Sequence, residues 1–423
     1  MESAEAASSV TRVKKTAVSA LVSAEVISVL GTRMTYLALP WFVLVTTGSA
    51  TKMTLVLAAE IAPMVVLGIP SGLLVHRIGA RNTMLIADFA RAPILASIPL
   101  LHALDLLSFP LLLGLVALLG CFMPPYFASQ RTILPELVGE DERRMSQGNS
   151  LIEGGAALAA LLGPAIAGLL IPLIGAPNVL YVDAATYAVA FLLLLVFVPR
   201  RKPIAAAVRP KVLAGVRFLF QDRLLGPIAC VVVGFGFLSA GMSAGLVFYA
   251  YDELDNSRIA GLFYAALGAG ALVGTFAAIA AVRKVPPLRL SGLAIIAFAV
   301  PLWVLPFLPP WPVVFAALFA ATFFTPLING PLIAVLTART PENLRAMVIT
   351  AVISINTLAA PLGFLVAGQV IEHWGVVPLF GATVAGVTGM ALVYSAIVLR
   401  HRDEDLPPET VAPAAAAAEP VAS

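Results

Sequence analysis

Ionisable side chains lie inside apolar stretches of the first half of the chain, and five of them are candidates for buried charge: Glu25, Arg33, Glu60, Asp88 and Arg91. An ionised group at mid-bilayer costs about 2.5 to 3.5 kcal/mol even on the most lenient scale, so each one needs a structural or functional reason. A carboxyl group that loses contact with water binds a proton more readily and releases it when water returns. Glu25, and after it Glu60, are therefore candidates for proton binding. A structural ion pair of Glu25 with Arg91 or Arg33 is the alternative.

Other polar and aromatic residues extend this set. Glu25, Thr32 and Tyr36 follow one face of a predicted helix and could line a cavity, while Asp88 and Arg91, three residues apart, predict an ion pair on one helix. Asp183 lies near the end of its apolar stretch, and we interpret it as interfacial. Aromatic side chains that face a cavity favour an apolar substrate. The further candidates for lining it are Asn149, Glu153, Phe235, Tyr249, Asn329 and Asn356.

The elements that position these residues follow from composition. Hydrophobic residues make up 60% of the chain and charged residues 12%, and the mean hydropathy is +0.98. A membrane-spanning helix needs about 20 predominantly apolar residues. Twelve such stretches occur, at 17–46, 53–75, 83–104, 109–129, 146–174, 179–198, 224–251, 259–282, 290–307, 313–336, 347–371 and 376–399. The sequence thus predicts an all-α membrane protein.

The basic residues predict the orientation, because Lys and Arg collect in cytoplasmic loops. With the N-terminus placed inside, all of the 26 basic residues except Arg33, Lys52, Arg91 and Arg258 fall on the cytoplasmic side or in the tails. An error in the number of helices would assign every later loop to the opposite side of the membrane. This consistency predicts an even number of spans with both termini cytoplasmic, in the inner (cytoplasmic) membrane of the cell.

The longest predicted cytoplasmic connection divides the spans six and six. We predict an N-terminal tail at 1–16, six-helix bundles at 17–198 and 224–399, a basic linker at 199–223 and a disordered tail at 400–423. Internal repeats are common in transporters. An offset of 200 residues aligns four small residues of the fifth span with four of the eleventh: Gly163, Ala167, Gly168 and Gly175 with Gly363, Ala367, Gly368 and Gly375.

The loop between the second and third spans carries a motif. It reads Gly72-Leu-Leu-Val-His76-Arg77-Ile-Gly79-Ala-Arg81 and resembles the G-x-x-x-D-R-x-G-R signature of the major facilitator superfamily. Glycines allow a tight turn, and arginines can bind the C-terminal ends of helices, which together could hold a cytoplasmic gate. His76 replaces the acid of the signature. Because histidine titrates near neutrality, the gate could respond to pH, and a simple surface histidine is the alternative.

The fifth span carries a second, partial motif. Gly163-Pro164-Ala-Ile-Ala-Gly168 resembles the core of the superfamily's antiporter motif. Further segments, LPWFVLVTTGSAT, IADFARA, RTILPEL and LLGPAIAGLL, are similar to a drug and siderophore exporter group related to the enterobactin exporters. The resemblance implies two six-helix bundles that export small amphipathic or hydrophobic molecules by alternating access, with inward proton movement as the source of energy.

Two other classes of function compete with export. Uptake or facilitated transport of a small metabolite or lysolipid fits the same fold, since fold does not determine function. A membrane enzyme is disfavoured, because the chain has no H-E-x-x-H or G-x-S-x-G motif, no phosphate-binding loop and no metal-ligand cluster. We expect no enzymatic activity, cofactor, metal or nucleic-acid partner. The expected partners of a monomer are a small-molecule substrate, protons and membrane lipids.

Overall fold

A computed structural model of the chain describes residues 2–138, 142–200, 212–282, 285–342 and 344–400. Throughout these ranges the backbone is α-helical apart from short turns and a single 3₁₀ helix, and it forms no strand. The all-α prediction is therefore confirmed. The predicted C-terminal tail after its first residue, and much of the predicted basic linker, lie outside the described residues.

Seven helices form the first half of the chain. They are α1 (Glu2–Thr47), α2 (Ala50–Ile78), α3 (Ala80–Ala103), α4 (Phe109–Cys121), α5 (Met123–Val138), α6 (Glu142–Ile174) and α7 (Ala176–Phe197). A bilayer core offers no water to backbone N–H and C=O groups, so long apolar segments satisfy them within a helix. Helix α1 begins at Glu2, so most of the predicted N-terminal tail has a helical backbone continuous with the first span.

Eight helices follow in the second half. They are α8 (Val212–Gln221), α9 (Leu225–Asp252), α10 (Ser257–Ala281), α11 (Pro287–Ala299), α12 (Trp311–Phe323), α13 (Thr325–Arg339), α14 (Arg345–Trp374) and α15 (Val376–Arg400). A 3₁₀ helix, Val300–Phe307, continues α11. Among the described residues, 12 segments are long and apolar enough to cross a membrane, which is the predicted number.

Two spans are each built from two α-helices. The span Phe109–Val138 is interrupted at Phe122, just before two prolines, and the span Trp311–Arg339 is interrupted at Phe324, just before Pro326. Proline has no backbone N–H and clashes with the preceding turn, which explains both breaks. Each broken span is the fourth of its set of six. The matching breaks agree with the predicted internal repeat.

Glycines at positive φ make the tightest turns between spans. Gly175 and Gly375 have φ of 85° and 82°, and each joins the fifth and sixth spans of its half. These two residues are also paired by the offset of 200. Glycine adopts this backbone conformation without the steric penalty of a Cβ atom. The two turns that the offset pairs thus share one backbone conformation.

The chain forms two compact units. Unit 1 consists of Met1–Arg209, Ser239–Gly268 and Ala360–Leu379. In it, α1 packs along α6 and α7, α3 packs on α7, and α2 packs on α4 and α5. Buried apolar side chains such as Leu21 and Met84 form a core shared by α1, α2, α3, α5 and α7. This packing positions the ionisable residues of the first half.

Unit 2 consists of Pro210–Leu238, Ala269–Ala359 and Phe380–Ser423. Its helices α11 and α13 pack against each other. The buried hydroxyl of Tyr394 in α15 donates to Ser291 Oγ in α11 at 3.0 Å. Hydrogen bonds between buried hydroxyl groups satisfy polar atoms that lipid could not.

The two units have other bounds than the two predicted six-helix bundles, which stay a prediction. Unit 1 also includes the second part of α9, the first part of α10, the end of α14 and the start of α15. Some of these segments contact the first-half helices at small residues, which let helix backbones approach closely. A Cβ atom on Gly168 would meet the backbone of Ser257 and Gly261 in α10, and one on Gly368 would meet Thr51 and Thr54 in α2.

Candidate functional site

Arg91 is the central cation of the first-half helices. It is 1% exposed, and its Nη2 donates to Asp88 Oδ1 at 2.5 Å, one turn earlier on α3. Its guanidinium lies between two tyrosine rings, 4.4 Å from the centroid of Tyr126 and 4.2 Å from that of Tyr187. Aromatic faces attract a guanidinium electrostatically. The ion pair predicted from the three-residue spacing is therefore present, with aromatic rings around it.

Glu25 lies in the same region without a cationic partner. Its side chain is 1% exposed and its Oε2 accepts a hydrogen bond from Gln130 Nε2 at 2.7 Å, whereas its Oε1 has no hydrogen-bond partner. In the part of the chain that the structure describes, neither Arg91 nor Arg33 forms an ion pair with it. A buried carboxyl group next to a neutral amide is more costly when ionised than when protonated. The geometry thus shows no ion pair for Glu25 with either arginine, and proton binding stays a prediction.

Asp183 differs from its sequence-based interpretation. The prediction that it is interfacial is wrong, because it is fully buried in α7 facing α1. Thr35 Oγ1 donates to its Oδ2 at 2.5 Å, and Thr186 Oγ1 contacts its Oδ1 at 3.0 Å. Gly31 makes this possible, since a Cβ atom there would collide with Asp183 and Thr186. Helix packing, rather than position along the span, decided its environment.

The hydroxyl groups of Thr32 and Tyr187 connect α1 with α7. Thr32 Oγ1 lies 2.9 Å from Tyr187 OH, at hydrogen-bond distance between α1 and α7. Thr32 also donates to the carbonyl oxygen of Ser28 at 2.9 Å. Thr32 is half-buried and makes these contacts within the protein, so the polar face predicted for α1 is turned partly toward α7.

Glu60 and Arg33 lie closer to the distal face of the membrane, which we define as the face at which α1 ends and α2 begins. Glu60 is 7% exposed and its Oε2 has no hydrogen-bond partner. Arg33 and Asp183 are the charged groups near enough to act on it electrostatically. The prediction of a buried Arg33 is wrong: its Cβ packs against the position of Gly163 in α6, and the side chain is exposed.

The residues of the gate motif divide into two groups. Gly79, at φ 85°, makes the turn between α2 and α3, and Arg81 donates from Nε to Val198 O at 2.5 Å and from Nη2 to Leu195 O at 2.9 Å. Arg81 thus binds the C-terminal end of α7, as the motif predicts for an arginine. Gly72, His76 and Arg77 are exposed.

The antiporter-like segment packs on two sides. Gly163 lies against Leu30 and Arg33 of α1. On the next turn, Ser257 Oγ donates to Gly168 O at 3.3 Å, and Pro164 O is so close to Gly261 that a Cβ atom there would collide with it. A kinked helix with small residues can sustain such close contacts. All of them lie within unit 1.

A carboxylate that the sequence interpretation overlooked also lies at the distal face. Glu372 Oε2 accepts hydrogen bonds from Thr51 N at 3.0 Å and Ser49 Oγ at 3.1 Å. Ser49 is the N-cap residue of α2, so the carboxylate of α14 lies at the positive end of a helix dipole. Thr51 Oγ1 adds a bond to Gly368 O at 3.4 Å.

The predicted cavity residues have different surroundings. In unit 1, the ring of Tyr36 meets that of Tyr264 edge-on with centroids 5.9 Å apart, and Tyr264 OH lies 2.7 Å from Ser243 Oγ. Tyr249 is 2% exposed and stacks on Phe263, which contradicts its prediction as a cavity-lining residue. Its burial and its stacking on Phe263 make it a packing residue.

The remaining residues predicted to line a cavity are described within their own units. Asn149 and Glu153 of unit 1 are exposed on α6. In unit 2, Phe235 is half-buried with its ring centroid 5.9 Å from that of Phe298, while Asn329 and Asn356 are exposed. Their roles stay predictions.

Sequence interpretation missed Gln130, Tyr126, Asp183 and Tyr187 as parts of the buried polar site. A signal was present, because each pair is spaced four residues apart within one helix. In the described ranges, no group of three or more His, Cys, Asp or Glu residues could hold a metal ion. The site is thus a set of carboxyl groups, one buried guanidinium and hydroxyl groups, which is suited to holding and moving protons.

In the described ranges, twelve apolar segments long enough to cross a membrane, together with such a buried polar site, define a multi-pass membrane protein. The family model described as Major Facilitator Superfamily matches residues 21–300, and the chain belongs to this superfamily of transporters. The sequence-based resemblance to the superfamily is thereby confirmed.

Individual relatives and structures agree with this assignment. The chain is 27% identical over 359 residues to "Multidrug efflux pump Tap" of Mycolicibacterium fortuitum, covering 82% of this chain and 87% of the relative. It is 26% identical over 377 residues to the protein of the same name in Mycobacterium tuberculosis, covering 86% and 89%. The nucleoside transporter NupG shares the fold at a TM-score of 0.73 and 12% identity, over 91% of this chain and 99% of that chain. The human organic anion transporter MFSD10 does so at a TM-score of 0.62 and 18% identity, over 91% and 99%.

Proposed function

We propose that this protein exports small amphipathic or hydrophobic molecules, such as drugs or secondary metabolites, in exchange for protons. It works as a monomer in the cytoplasmic membrane, with both termini inside, and uses the proton gradient without a cofactor. Two relatives named as multidrug efflux pumps, aligned over more than four fifths of the chain, support the direction and the class of substrate. The likeness to a nucleoside transporter bears on the fold alone.

The observation that carries proton coupling is the environment of Glu25. This carboxyl group is buried, has one neutral donor and leaves Oε1 without a partner. The nearby Arg91 is already paired with Asp88. Glu25 can therefore take up a proton without first breaking an ion pair, and hydration of its site would favour release.

Alternating access supplies that change in hydration. At the distal face, Glu372 holds the start of α2 and Gly168 packs on α10. In the proposed cycle these distal contacts break when the site opens outward, and proton binding at Glu25 accompanies the return. Export then follows from a conformational equilibrium that protonation and substrate binding shift in opposite directions.

Everted membrane vesicles test this proposal. Their lumen is acidified by respiration, and a drug that the protein exports enters the lumen as protons leave. We expect drug addition to raise the lumenal pH with the wild type and not with Glu25→Gln, at equal protein levels. Glu253→Gln, an exposed carboxyl-to-amide change just after the end of α9, is the matched control and is expected to behave as the wild type.

Two results would count against the proposal. If Glu25→Gln and Glu60→Gln both keep full gradient-dependent transport, the coupling assignment is wrong. If drugs leave the vesicles rather than enter them, the protein catalyses uptake, which is the alternative function on the same fold. Substrate turnover in detergent without any gradient would instead indicate a membrane enzyme.

A further inference from the structure

The buried ionisable groups of unit 1 do not balance in charge. Among the described residues, four buried carboxyl groups, Glu25, Glu60, Asp88 and Asp183, face one buried cation, Arg91. Arg91 forms its ion pair with Asp88. The other three carboxyl groups therefore have no buried positive partner. Because an unpaired buried charge is unfavourable, protons must neutralise at least some of them.

Asp183 is a fully buried member of this set whose two carboxyl oxygens are held by neutral hydroxyl groups. Thr186 Oγ1 lies 2.8 Å from the carbonyl oxygen of Asp183 and 3.0 Å from its Oδ1. A hydroxyl group has one hydrogen to donate, but its oxygen can also accept. Thr186 donates toward the carbonyl oxygen and toward Oδ1 without bringing a positive charge, so a bound proton is what removes the charge of Asp183 in this buried position. Thr35 donates to the other oxygen, Oδ2, at 2.5 Å.

The surroundings of Asp183 connect it to the Arg91 site. Tyr187, one turn further along α7, contacts Arg91 with its ring and lies 2.9 Å from Thr32 Oγ1 through its hydroxyl group. The charges that act on Asp183 from neighbouring helices are those of Arg91 in α3 and Glu60 in α2. Removal of its proton would therefore add a negative charge next to both Glu60 and the Arg91 site.

We infer that Asp183 is a second proton-binding carboxyl group of the transport cycle, held by Thr35 and Thr186 as positioning residues. This inference rests on the proposed function and adds a proton to it: one binds Glu25, one binds Asp183, and both leave on the cytoplasmic side. For each monovalent cation moved outward, two protons move inward. Each cycle then moves one net positive charge inward, whereas a cycle with Glu25 alone would move none.

Proteoliposomes distinguish the two stoichiometries. The probe is ethidium or tetraphenylphosphonium, and a membrane potential is imposed with potassium and valinomycin. We expect wild-type exchange to accelerate when the side that protons enter is negative. Asp183→Asn should lose this response while the pH gradient still drives exchange, and Asp105→Asn, in the exposed turn after α3, should keep it. If Asp183→Asn keeps the wild-type response, or if Glu60→Gln abolishes it instead, the inference is overturned.

A measurement without substrate separates this inference from the proposed function. Infrared difference spectra of the purified protein between acidic and alkaline pH detect the carbonyl stretch of protonated carboxyl groups. We expect Asp183→Asn to remove one titrating band and Glu25→Gln another. Thr186→Val, which keeps the carboxyl group but removes its hydroxyl partner, should shift the Asp183 band even if Asp183→Asn does not fold.

The outcomes of the two assays are distinct. If Asp183→Asn gives the same spectrum as the wild type, the second site is refuted whatever the transport data show. The same holds if Thr186→Val leaves the Asp183 band unshifted. If no substrate causes proton exchange in the vesicles, the proposed function is refuted. The infrared spectra then decide independently whether Asp183 binds a proton.

Discussion

Replacement of Glu372 tests whether the distal contact of unit 1 biases the transport cycle. The carboxylate accepts hydrogen bonds from Thr51 N at 3.0 Å and Ser49 Oγ at 3.1 Å, at the N-terminus of α2. Glu372→Ala removes the acceptor and its charge. Glu372→Gln keeps an acceptor and removes only the charge. The two substitutions therefore separate the hydrogen bonds from the helix-dipole interaction.

The magnitude follows from these contacts and from the exposure of Glu372. A hydrogen bond contributes about 0.5 to 1.5 kcal/mol net, and a charge at an exposed helix terminus about 0.3 to 1 kcal/mol. Because the side chain is exposed and solvent screens it, we take the lower part of these ranges. Glu372→Ala should weaken the closed distal contact by about 1 to 2 kcal/mol, which is about a fivefold to thirtyfold change in population. Glu372→Gln should change it by about twofold to fivefold.

Spin labels at the distal face measure this population. The labelled protein carries Lys52→Cys and His373→Cys in a background of Cys121→Ser and Cys230→Ser, since these are the two natural cysteines. Double electron–electron resonance should show a longer label-to-label distance that gains population with Glu372→Gln and more with Glu372→Ala. A distance distribution unchanged by the alanine substitution would refute the reasoning. A larger effect of glutamine than of alanine would also contradict it.

Three further substitutions address other parts of unit 1. Arg91→Ala leaves Asp88 buried and unpaired, so it should lower stability by about 3 to 5 kcal/mol in thermal unfolding in detergent, and adding Asp88→Leu should recover much of the loss without restoring transport. Gly168→Val should abolish transport in the vesicle assay at normal expression, because its side chain would enter the backbone of α10, whereas Gly114→Ala, with open space around it, should be tolerated. Arg81→Ala removes two hydrogen bonds to the end of α7 and should lower the free energy of unfolding by about 1 to 3 kcal/mol, and an unchanged melting temperature would contradict that role.

Local features were predictable from the sequence. The number of spans follows from the length of apolar stretches, and the breaks in the fourth and tenth spans occur beside prolines visible in the sequence. The pair of Asp88 and Arg91 was predictable because residues three apart on a helix are neighbours whatever surrounds the helix. Gly175 and Gly375 were recognisable as a repeated pair by their offset alone.

Aromatic and charged residues were harder to place. Tyr249 is an aromatic residue in an apolar helix, and nothing in its neighbours along the chain separates a packed face from one that lines a cavity. Arg33 similarly lies in the middle of an apolar stretch, yet its side chain is exposed. In lipid, packed and unpacked faces are both apolar, so hydrophobic periodicity, which identifies the buried face of a helix in water, carries less information.

The sequence by itself determined the helices, their number, the superfamily resemblance and the concentration of ionisable residues in the first half. Apart from the pair of Asp88 and Arg91, only the tertiary structure decided which partners the polar side chains have. Glu25 and Gln130 are 105 positions apart, Thr35 and Asp183 are 148 apart, and Thr51 and Glu372 are 321 apart. Such contacts depend on which helices are neighbours and on how each is rotated about its axis. In a bilayer these are set by close packing at small residues such as Gly31 and Gly168, which the composition of each helix alone does not specify.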